Sequence, residues 1–350
     1  MTGIRQLAQH LQISTGTVSR ALNGKADVND ETRRRVLEAA AELGYVPNQS
    51  GRSLRKGTTN TVGLIMTNGV NLGAHNDNFF PGVIGGLQAA LARHNLDLVI
   101  LLCSSEEDPE DYMRRMVARR LVDALVVTAT RTVDPRLDFL QKAGLPFVAL
   151  GRSSSGAGCA WIDLDFEGIA RESVTRLVAR GHRRIAVATP TSDVNLGRLF
   201  MRGYEAGLQS HGLPFDPDIV FRAETSEEGG YAAGDRLLQL ENRPTAILLI
   251  AELMSVGLYR RLGEAGLRPG RDLAIIAERE SPVGRFLLPR LTCFRVAVHD
   301  LGLQLGETLL STIPAYRHLY PEAPRELVWP LELVEGESDP PLVSESGKDG

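Results

Sequence analysis

The chain has 350 residues, of which 43% are hydrophobic and 23% charged, an ordinary composition for a globular protein of more than one domain. No segment reaches the roughly 18 apolar residues of a membrane-spanning helix, and Arg5 and Gln6 interrupt any apolar signal core, so we expect a cytoplasmic protein. Residues 1–57 hold nine Lys and Arg against five Asp and Glu, although the whole chain has a net charge of −4, and a basic head on an acidic body is typical of a nucleic-acid-binding module joined to a larger domain.

The N-terminal segment predicts three short helices. Apolar residues recur every three or four positions over 4–11 and indicate a first helix. Gln12 begins a turn, after which Ser14 can cap a second helix over 15–22 by accepting a hydrogen bond from a free backbone N–H. Asn29 can cap a third helix in the same way. A tight turn between the first two helices indicates a helix-turn-helix, whose second helix enters the major groove of DNA.

The second helix has an outward face of small polar residues and one arginine. These residues are Thr15, Gly16, Thr17, Ser19 and Arg20. Arginine can give paired hydrogen bonds to guanine, and threonine can bond a base edge or touch a thymine methyl group. Helical spacing alone leaves a plain three-helix bundle with a solvated face equally open.

Several stretches of this segment give a specific resemblance. They are TVSRALNG at 17–24, VNDETR at 28–33, LGYVPN at 43–48, RSLR at 52–55 and TVGLI at 61–65. Together they resemble the DNA-binding signature of the LacI family of transcriptional regulators, and the resemblance continues to about residue 335. It is specific because so many matches occur at fixed spacing.

The resemblance implies roles for single residues in DNA binding. The base-reading positions are matched by Thr15, Gly16 and Arg20, and the positions near phosphates by Thr17, Ser19, Asn23 and Tyr45. Residues 48–56 match a hinge that becomes helical only on operator DNA, and within it Leu54 and Arg55 are further DNA-binding candidates. Leu54 matches a leucine that is pushed into the minor groove, where an apolar wedge unstacks a base step and bends the duplex.

Two departures from the family pattern concern the head and the hinge. Gln12 replaces a frequent turn glycine, so we expect slight strain in the turn. Gly51 replaces the usual alanine, and because glycine disfavours a helix by about 1 kcal/mol, we expect the hinge to fold less readily without DNA.

Beyond Thr58, short apolar runs alternate with helical segments. The predicted strands are Val62–Met66, Leu98–Leu102, Ala124–Thr128, Phe147–Leu150, Ile185–Ala188, Ile219–Ala223, Ile247–Ala251 and Leu273–Ile276. The predicted helices lie near 81–93, 109–119, 135–142, 197–210, 227–240 and 253–265. Such runs indicate buried parallel strands, here in two series and therefore two doubly wound lobes. Ligands of these sheets bind at the carboxyl ends of the strands, in the cleft between the lobes.

We therefore predict a small all-α helix-turn-helix domain joined to an α/β two-lobed core of doubly wound parallel sheets. The resemblance implies a core similar to periplasmic sugar-binding proteins. The predicted domains are a head at 1–47, a hinge at 48–58, a core at 59–335 and a disordered tail at 336–350. Within the core, the N-lobe is predicted at about 61–159 and 291–318, and the C-lobe at about 160–290 and 319–335.

An effector site is expected in the cleft between the lobes. Phe79 and Phe80 match an aromatic pair that can stack on a ligand ring. Carboxylates and amides suit sugar hydroxyls, and Asp163, Asn195 and Glu252 can supply them. The alternative is that the phenylalanines belong to the core.

The same region departs from the family pattern at several positions. Phe200 stands where the family usually has an arginine, with Arg198 and Arg202 beside it, and Arg279 replaces an aspartate that often bonds a sugar. Arg198, Arg202 and Arg279 are therefore included as effector candidates, because a guanidinium group binds a carboxylate or a phosphate through two bonds. The alternative is that these arginines are solvated at the rim and that Glu252 pairs with one of them.

The chemistry-bearing residues predict no metal, cofactor or catalytic site. Cys103, Cys159 and Cys293 are scattered without Cys-X-X-Cys spacing and are expected to be buried free thiols. The histidines have no metal-ligand spacing, and no nucleophile–base grouping is evident.

These observations predict a homodimeric repressor of carbohydrate-utilisation genes that binds pseudo-palindromic operator DNA under the control of a sugar-like effector. The pattern also faintly resembles family members that respond to α-glucosides. A solute-binding protein shares the core fold but lacks the DNA-binding head, and an enzyme is favoured by the fold alone.

Overall fold

The computed structural model describes residues 3–22, 24–45, 58–67, 79–104 and 106–342. These residues form two compact units, which divide between Thr59 and Asn60. The predictions for Asn23, Leu54, Arg55, hinge residues 48–57 and tail residues 343–350 lie outside the described residues. No helix in the described ranges is both long and apolar enough to cross a membrane.

Three helices build the first unit, the head. They are α1 (Ile4–Leu11), α2 (Thr15–Leu22) and α3 (Asp30–Glu42). Each contributes a fully buried side chain to one small core, namely Leu7, Val18 and Val36. This confirms the three predicted helices and their inward faces.

The helix starts of the head are capped as the sequence predicts. The Ser14 hydroxyl accepts a hydrogen bond from the Thr17 N–H at 3.0 Å, and the Asn29 side chain accepts one from the Thr32 N–H at 2.7 Å. In the turn between α1 and α2, Gln12 has a φ of 53°, in the left-handed region. Side chains other than glycine are strained there, so the expected strain in the turn has a structural basis.

Parallel sheets form the second unit, the core. Its strands are β1 (Thr61–Thr67), β2 (Asp97–Cys103), β3 (Ala124–Val127), β4 (Phe147–Leu150), β5 (Ala160–Leu164), β6 (Ile185–Pro190), β7 (Val220–Ala223), β8 (Ala246–Leu249), β9 (Ala274–Ala277), β10 (Cys293–Arg295), β11 (Glu326–Trp329) and β12 (Glu332–Val334). Its helices are α4 (Phe79–Ala92), α5 (Pro109–Ala118), α6 (Pro135–Ala143), α7 (Phe166–Ala179), α8 (Asn195–Ser210), α9 (Glu227–Leu238), α10 (Leu253–Glu264) and α11 (Val298–Thr312).

The core has two sheets of parallel strands, and each defines one lobe. The N-lobe is built on a six-stranded sheet of order β11–β5–β4–β3–β1–β2, and the C-lobe on a four-stranded sheet of order β7–β6–β8–β9. A short antiparallel pair, β10–β12, lies beside β9, because Thr292 forms a bridge to Ile276. The two doubly wound lobes predicted from the alternating runs are present.

Glycines allow α4 and α11 to pack closely on the N-lobe. A Cβ atom placed on Gly86 would lie 2.0 Å from the His299 carbonyl oxygen, and one on Gly302 would lie 2.2 Å from the Val83 carbonyl oxygen. Both approaches are too short for any side chain, so these two positions set the distance between the helices.

Three segments lie in the lobe opposite to the one predicted. Strand β5, at residues 160–164, and strand β11, at 326–329, belong to the N-lobe sheet rather than to the C-lobe. Residues 292–295 pair with the C-lobe rather than with the N-lobe. Each segment lies next to a crossing of the chain between the lobes, where a strand's partner is distant in sequence and leaves no local pattern.

The prediction of disorder is wrong for residues 336–342, which pack on the C-lobe. Ser338 and Asp339 have no exposed surface. The Asp339 carboxylate is 2.6 Å from Arg176 Nε and 3.4 Å from Arg180 Nε. Residue Ser338 exchanges backbone and side-chain hydrogen bonds with Ile275 of β9. The polar side chains that suggested disorder therefore have specific hydrogen-bond and ion-pair partners in the C-lobe.

Candidate functional site

The outward face of α2 gathers the predicted base-reading residues of the head. Thr15, Gly16 and Arg20 are exposed, while Thr17 and Ser19 are half-buried beside them. Tyr45 lies apart from α2 in sequence, is half-buried and packs against the head core. The face presents hydroxyl groups and one guanidinium group, which suits contacts with base edges and phosphates.

Arg20 is held only weakly in the free protein. Its Nε lies 3.7 Å from Asp27 Oδ2, and both side chains are more than half exposed, at 55% and 59%. Exposed pairs of this kind contribute about 0.2–1 kcal/mol. Arg20 can therefore leave Asp27 for a base at little cost.

A cavity of about 260 Å³ lies between the two lobes of the core. The N-lobe wall consists of Phe79, Phe80, Thr128, Ala129, Thr130, Leu150, Gly151, Asp163 and Leu164, and Phe166 lines the C-lobe side at the start of α7. The C-lobe wall consists of Leu196, Thr225, Ile250, Ala251, Glu252, Leu253, Glu278 and Arg279. Most of these residues follow the carboxyl end of a strand, which is the predicted place for a ligand. Phe79, Phe80, Asp163, Glu252 and Arg279 are thus brought together.

Arg279 is placed between two carboxylates on the C-lobe wall. Its Nη2 is 3.4 Å from Glu252 Oε2 and its Nε is 3.5 Å from Glu278 Oε2. The guanidinium carbon lies 5.1 Å from the centre of the Phe79 ring, within the range of a cation–π contact. Glu252 and Glu278 are buried. Carboxylate oxygens accept hydrogen bonds from hydroxyl groups, so this wall has the chemistry that suits a hydroxylated ligand.

Asp163 is the carboxylate of the N-lobe wall, and Arg152 orients it. The Arg152 Nε donates to Asp163 Oδ2 at 2.9 Å, and the same guanidinium group is 3.4 Å from Glu167 Oε2. Burial raises the pKa of Asp163, while the hydrogen bond and the charge of Arg152 oppose that rise. Sequence reasoning missed Arg152, although its position directly after β4 placed it at the carboxyl edge of the sheet.

A buried ion pair supports the backbone of the N-lobe wall. Arg136 and Asp134 are almost completely buried and lie 2.6 Å apart. The Arg136 Nη2 also donates to the carbonyl oxygens of Thr128 and Ala129, at 3.1 and 3.0 Å. Ala129 has a φ of 50°, and a strained residue of this kind persists where its surroundings fix it. Sequence reasoning missed this pair too, because only the fold brings the helix start under the cavity.

Asn195 lies outside the cavity wall and joins the lobes instead. Its side-chain Nδ2 donates to the Arg152 carbonyl oxygen at 2.8 Å, and its Oδ1 accepts from the Thr132 hydroxyl at 3.2 Å. Its backbone N–H donates to the Thr130 carbonyl oxygen at 2.8 Å. Since Asn195 begins α8 of the C-lobe and its three partners belong to the N-lobe, these contacts link the lobes.

Arg198 and Arg202 also lie outside the cavity. Arg198 lines a separate cavity of about 580 Å³, formed mainly by C-lobe residues, and Arg202 is exposed at 3.5 Å from Glu167. Phe200 between them is buried in the lobe core. Residues 198 and 202 are one helical turn apart and share a face that position 200 does not, so the two arginines point away from the core.

Neither the cysteines nor the acidic residues suggest a metal centre. Burial raises the pKa of Cys293 to about 12; Cys103 is buried and Cys159 half-buried. Within the described ranges, no group of three or more His, Cys, Asp or Glu side chains is placed to hold a metal ion.

Two family models match the chain. Residues 4–48 match the model of bacterial regulatory proteins of the lacI family, and residues 174–338 match the periplasmic binding protein-like domain. The HTH-type transcriptional regulator AglR of Rhizobium meliloti (strain 1021) is 33% identical over 98% of this chain and 96% of its own length.

Solved structures are similar over nearly the same length. The transcriptional regulator CelR in complex with cellobiose has a TM-score of 0.71 and 27% identity, covering 97% of this chain and 100% of that chain. The lac repressor dimer bound to operator and the anti-inducer ONPF has a TM-score of 0.83 and 22% identity, covering 97% and 99%. The second similarity concerns the fold alone.

Proposed function

Because the chain belongs to the lacI family of bacterial regulatory proteins, we propose that it represses carbohydrate-utilisation genes and that a saccharide bound between its lobes controls its affinity for operator DNA. The observation that carries this proposal is the interlobe cavity, where aromatic rings and carboxylates line both walls. Operator DNA lies in the cytoplasm, so the protein should act there.

The cavity favours a neutral saccharide over an anionic effector. Three carboxylates reach its walls, from Asp163, Glu252 and Glu278, and its one lining arginine already has two of them as partners. A saccharide can donate hydroxyl hydrogens to these oxygens and place its ring against Phe79 or Phe80. The cellobiose complex of the similar regulator CelR supports this class of ligand.

Each head would bind one half-site of the operator, and the two heads of a dimer would be related by symmetry. A dimer places two copies of α2 in successive major grooves of a pseudo-palindromic operator. Arg20 reads a guanine there, while Thr17 and Ser19 approach phosphates. Effector binding changes the angle between the lobes, and a coupling free energy of about 1–3 kcal/mol changes operator occupancy.

Selection from a random DNA library, with the full-length protein at fixed salt, tests the proposal. We expect a palindromic consensus, and then release of that DNA when one of maltose, cellobiose or ribose is added. Absence of any sequence preference would overturn the DNA-binding proposal and favour a solute-binding protein. Turnover of an added sugar would favour an enzyme.

Two arginine variants test the reading role within the same selection. Arg20→Ala should weaken consensus binding by about 1–3 kcal/mol and relax the preference at one base pair per half-site. Arg34→Ala is the matched control, because Arg34 is an equally exposed arginine of the head and pairs with Glu38. Equal weakening of Arg20→Ala on all sequences would instead make Arg20 a phosphate contact.

A further inference from the structure

The second cavity, of about 580 Å³, has an unusual set of arginines. Arg198, Arg222 and Arg236 line it. Among the described residues, these arginines make one hydrogen bond, which Arg222 Nη1 donates to the Pro190 carbonyl oxygen at 3.3 Å. The guanidinium carbon of Arg236 lies 5.2 Å from the centre of the Phe221 ring. Three guanidinium groups thus line one space, and no carboxylate in the described part of the chain lies within ion-pair distance of them.

Some other arginines of the same lobe are paired with carboxylates. Arg184 pairs with Asp216 and Arg261 with Asp235, each at 2.5 Å, and Arg202 lies 3.5 Å from Glu167. Unlike Arg184, Arg202 and Arg261, the three cavity arginines have hydrogen-bond donors available for a ligand. Guanidinium groups bind phosphate through paired, charge-assisted hydrogen bonds.

The remaining lining residues have a different chemistry from the arginines. Asp193 and Glu205 supply carboxylates, while Phe215 and Met201 supply an apolar surface. Carboxylates accept hydrogen bonds from hydroxyl groups, and an aromatic ring packs against the C–H face of a sugar. A ligand that satisfies all these groups has one strongly anionic end and one hydroxylated ring.

We propose that this cavity is a second ligand site that takes a phosphorylated sugar. The phosphate is held by the three arginines, and the hydroxyl groups face Asp193 and Glu205. The site is distinct from the interlobe cavity, since the two share no lining residue. It goes beyond the proposed control by a neutral saccharide.

The position of the cavity gives its occupant access to the contacts between the lobes. Thr132 of the N-lobe and Val194 of the C-lobe both line it. The Thr132 hydroxyl is bonded to Asn195, and Val194 forms a β-bridge to Arg131. A ligand in this cavity therefore touches residues of both lobes and can favour one arrangement of them over another.

Calorimetric titration of the full-length protein with glucose 6-phosphate, without DNA and at about 0.15 M salt, tests the site. We expect saturable binding that Arg222→Gln and Arg236→Gln each weaken about tenfold or more, because each removes charge-assisted hydrogen bonds. Arg202→Gln, an exposed arginine of α8 outside the cavity, is the matched control and should bind as the wild type does. Because all of these side chains are exposed, the variants should keep the wild-type circular dichroism spectrum.

Competing ligands locate the bound molecule. Glucose should not displace glucose 6-phosphate, and inorganic phosphate should compete only at much higher concentration. Displacement by glucose, or equal weakening in Arg202→Gln, would overturn the proposal, as would no binding at all. Because no DNA is present, these outcomes leave the operator proposal unaffected.

Discussion

At the scale of single residues, the head contains a strained turn that the sequence already indicates. Gln12 occupies the left-handed region with a φ of 53°, where glycine is tolerated without cost. We expect Gln12→Gly to raise the free energy of unfolding of the head by about 0.5–1 kcal/mol, the strain relieved less the added chain entropy. Amide hydrogen exchange of the head in the full-length protein measures it.

A glycine substitution within α1 is the control for the predicted increase in the free energy of unfolding. Gln9 is exposed on the helix, where Gln9→Gly should cost about 1 kcal/mol. Faster exchange in both variants would contradict the assigned strain, because glycine would then be unfavourable at either position.

His182 makes stability depend on pH. Burial lowers its pKa below the ordinary value of 6.5, and its ring nitrogens contact the Thr245 hydroxyl and the Pro340 carbonyl oxygen at 3.0 and 3.2 Å. The unfolded chain then takes up a proton more readily than the folded one. The contribution of His182 to stability is therefore present above about pH 6.5 and is lost as the pH falls through the lower, folded pKa.

Urea unfolding near pH 7.5 and pH 5.5 measures this dependence. The loss of stability on acidification should be smaller in His182→Gln, whose side chain can still donate to Pro340 but does not titrate. Equal losses in the wild type and the variant would show that His182 does not contribute.

At the scale of elements, the terminal segment 336–342 stabilises the C-lobe through Asp339. Its buried carboxylate bonds Arg176 at 2.6 Å, while Glu335 reaches the same arginine from an exposed position at 2.8 Å. We expect Asp339→Ala to lower the free energy of unfolding by about 3–5 kcal/mol, because Arg176 and Arg180 both lose their buried carboxylate partner. Glu335→Ala should cost less than about 1 kcal/mol.

Urea denaturation of Asp339→Ala and Glu335→Ala measures the loss in the free energy of unfolding for each variant. Similar small losses would mean that the segment is dispensable and that its buried position contributes little to stability.

The start of α8 joins the lobes through Asn195. Asn195→Ala removes two side-chain hydrogen bonds, leaving the Thr132 hydroxyl without its acceptor and the Arg152 carbonyl oxygen with the Thr130 hydroxyl alone, which costs about 1–3 kcal/mol. We expect hydrogen exchange at residues 130–132 and 194–197 to accelerate about tenfold while the head is unchanged. Gln209→Ala, at an exposed position on the same helix, is the control. Unchanged hydrogen exchange in Asn195→Ala would show that Asn195 does not link the lobes.

The local sequence pattern predicted the helices and strands better than it predicted which strands pair with each other. The strand expected at Val62–Met66 is found at Thr61–Thr67, and the caps at Ser14 and Asn29 form as expected, because these depend on neighbouring residues. Strand β11 has alternating exposure and only four residues, and its partner β5 is far away in sequence. Such a pairing is decided by the whole fold.

The candidate site shows the same division. Phe79, Phe80, Glu252 and Arg279 converge because each lies at the carboxyl edge of a sheet or at the helix that follows. Arg198 and Arg202 do not, because the orientation of α8 about its axis depends on which residues the lobe core accepts. In α8 the lobe core accepts Phe200, which is buried, and the two arginines therefore lie on another face of the helix.

At the scale of the whole molecule, we expect two exposed apolar side chains to contribute to contacts between two copies of the chain. Phe286 and Leu288 of the C-lobe are 85% and 86% exposed. We expect the double variant Phe286→Ser, Leu288→Ser to raise the dissociation constant of the dimer at least about tenfold, since each buried apolar side chain is worth about 1.5–3 kcal/mol. Sedimentation analysis measures it.

Val133→Ser is the control for this prediction. Val133 is 66% exposed on the N-lobe, and its substitution should leave the association unchanged. An unaltered dimer in the double variant would place the interface elsewhere.

The central claim is that one chain couples a saccharide in the interlobe cavity to operator DNA. The most direct test is the dissociation constant of the full-length protein for its selected operator, measured with and without the sugar that releases it, together with the affinity for that sugar with and without the operator. The account predicts the same factor from both measurements, at about 5–150-fold, because coupling between two sites is reciprocal. An operator affinity that no saccharide in the panel changes would contradict it.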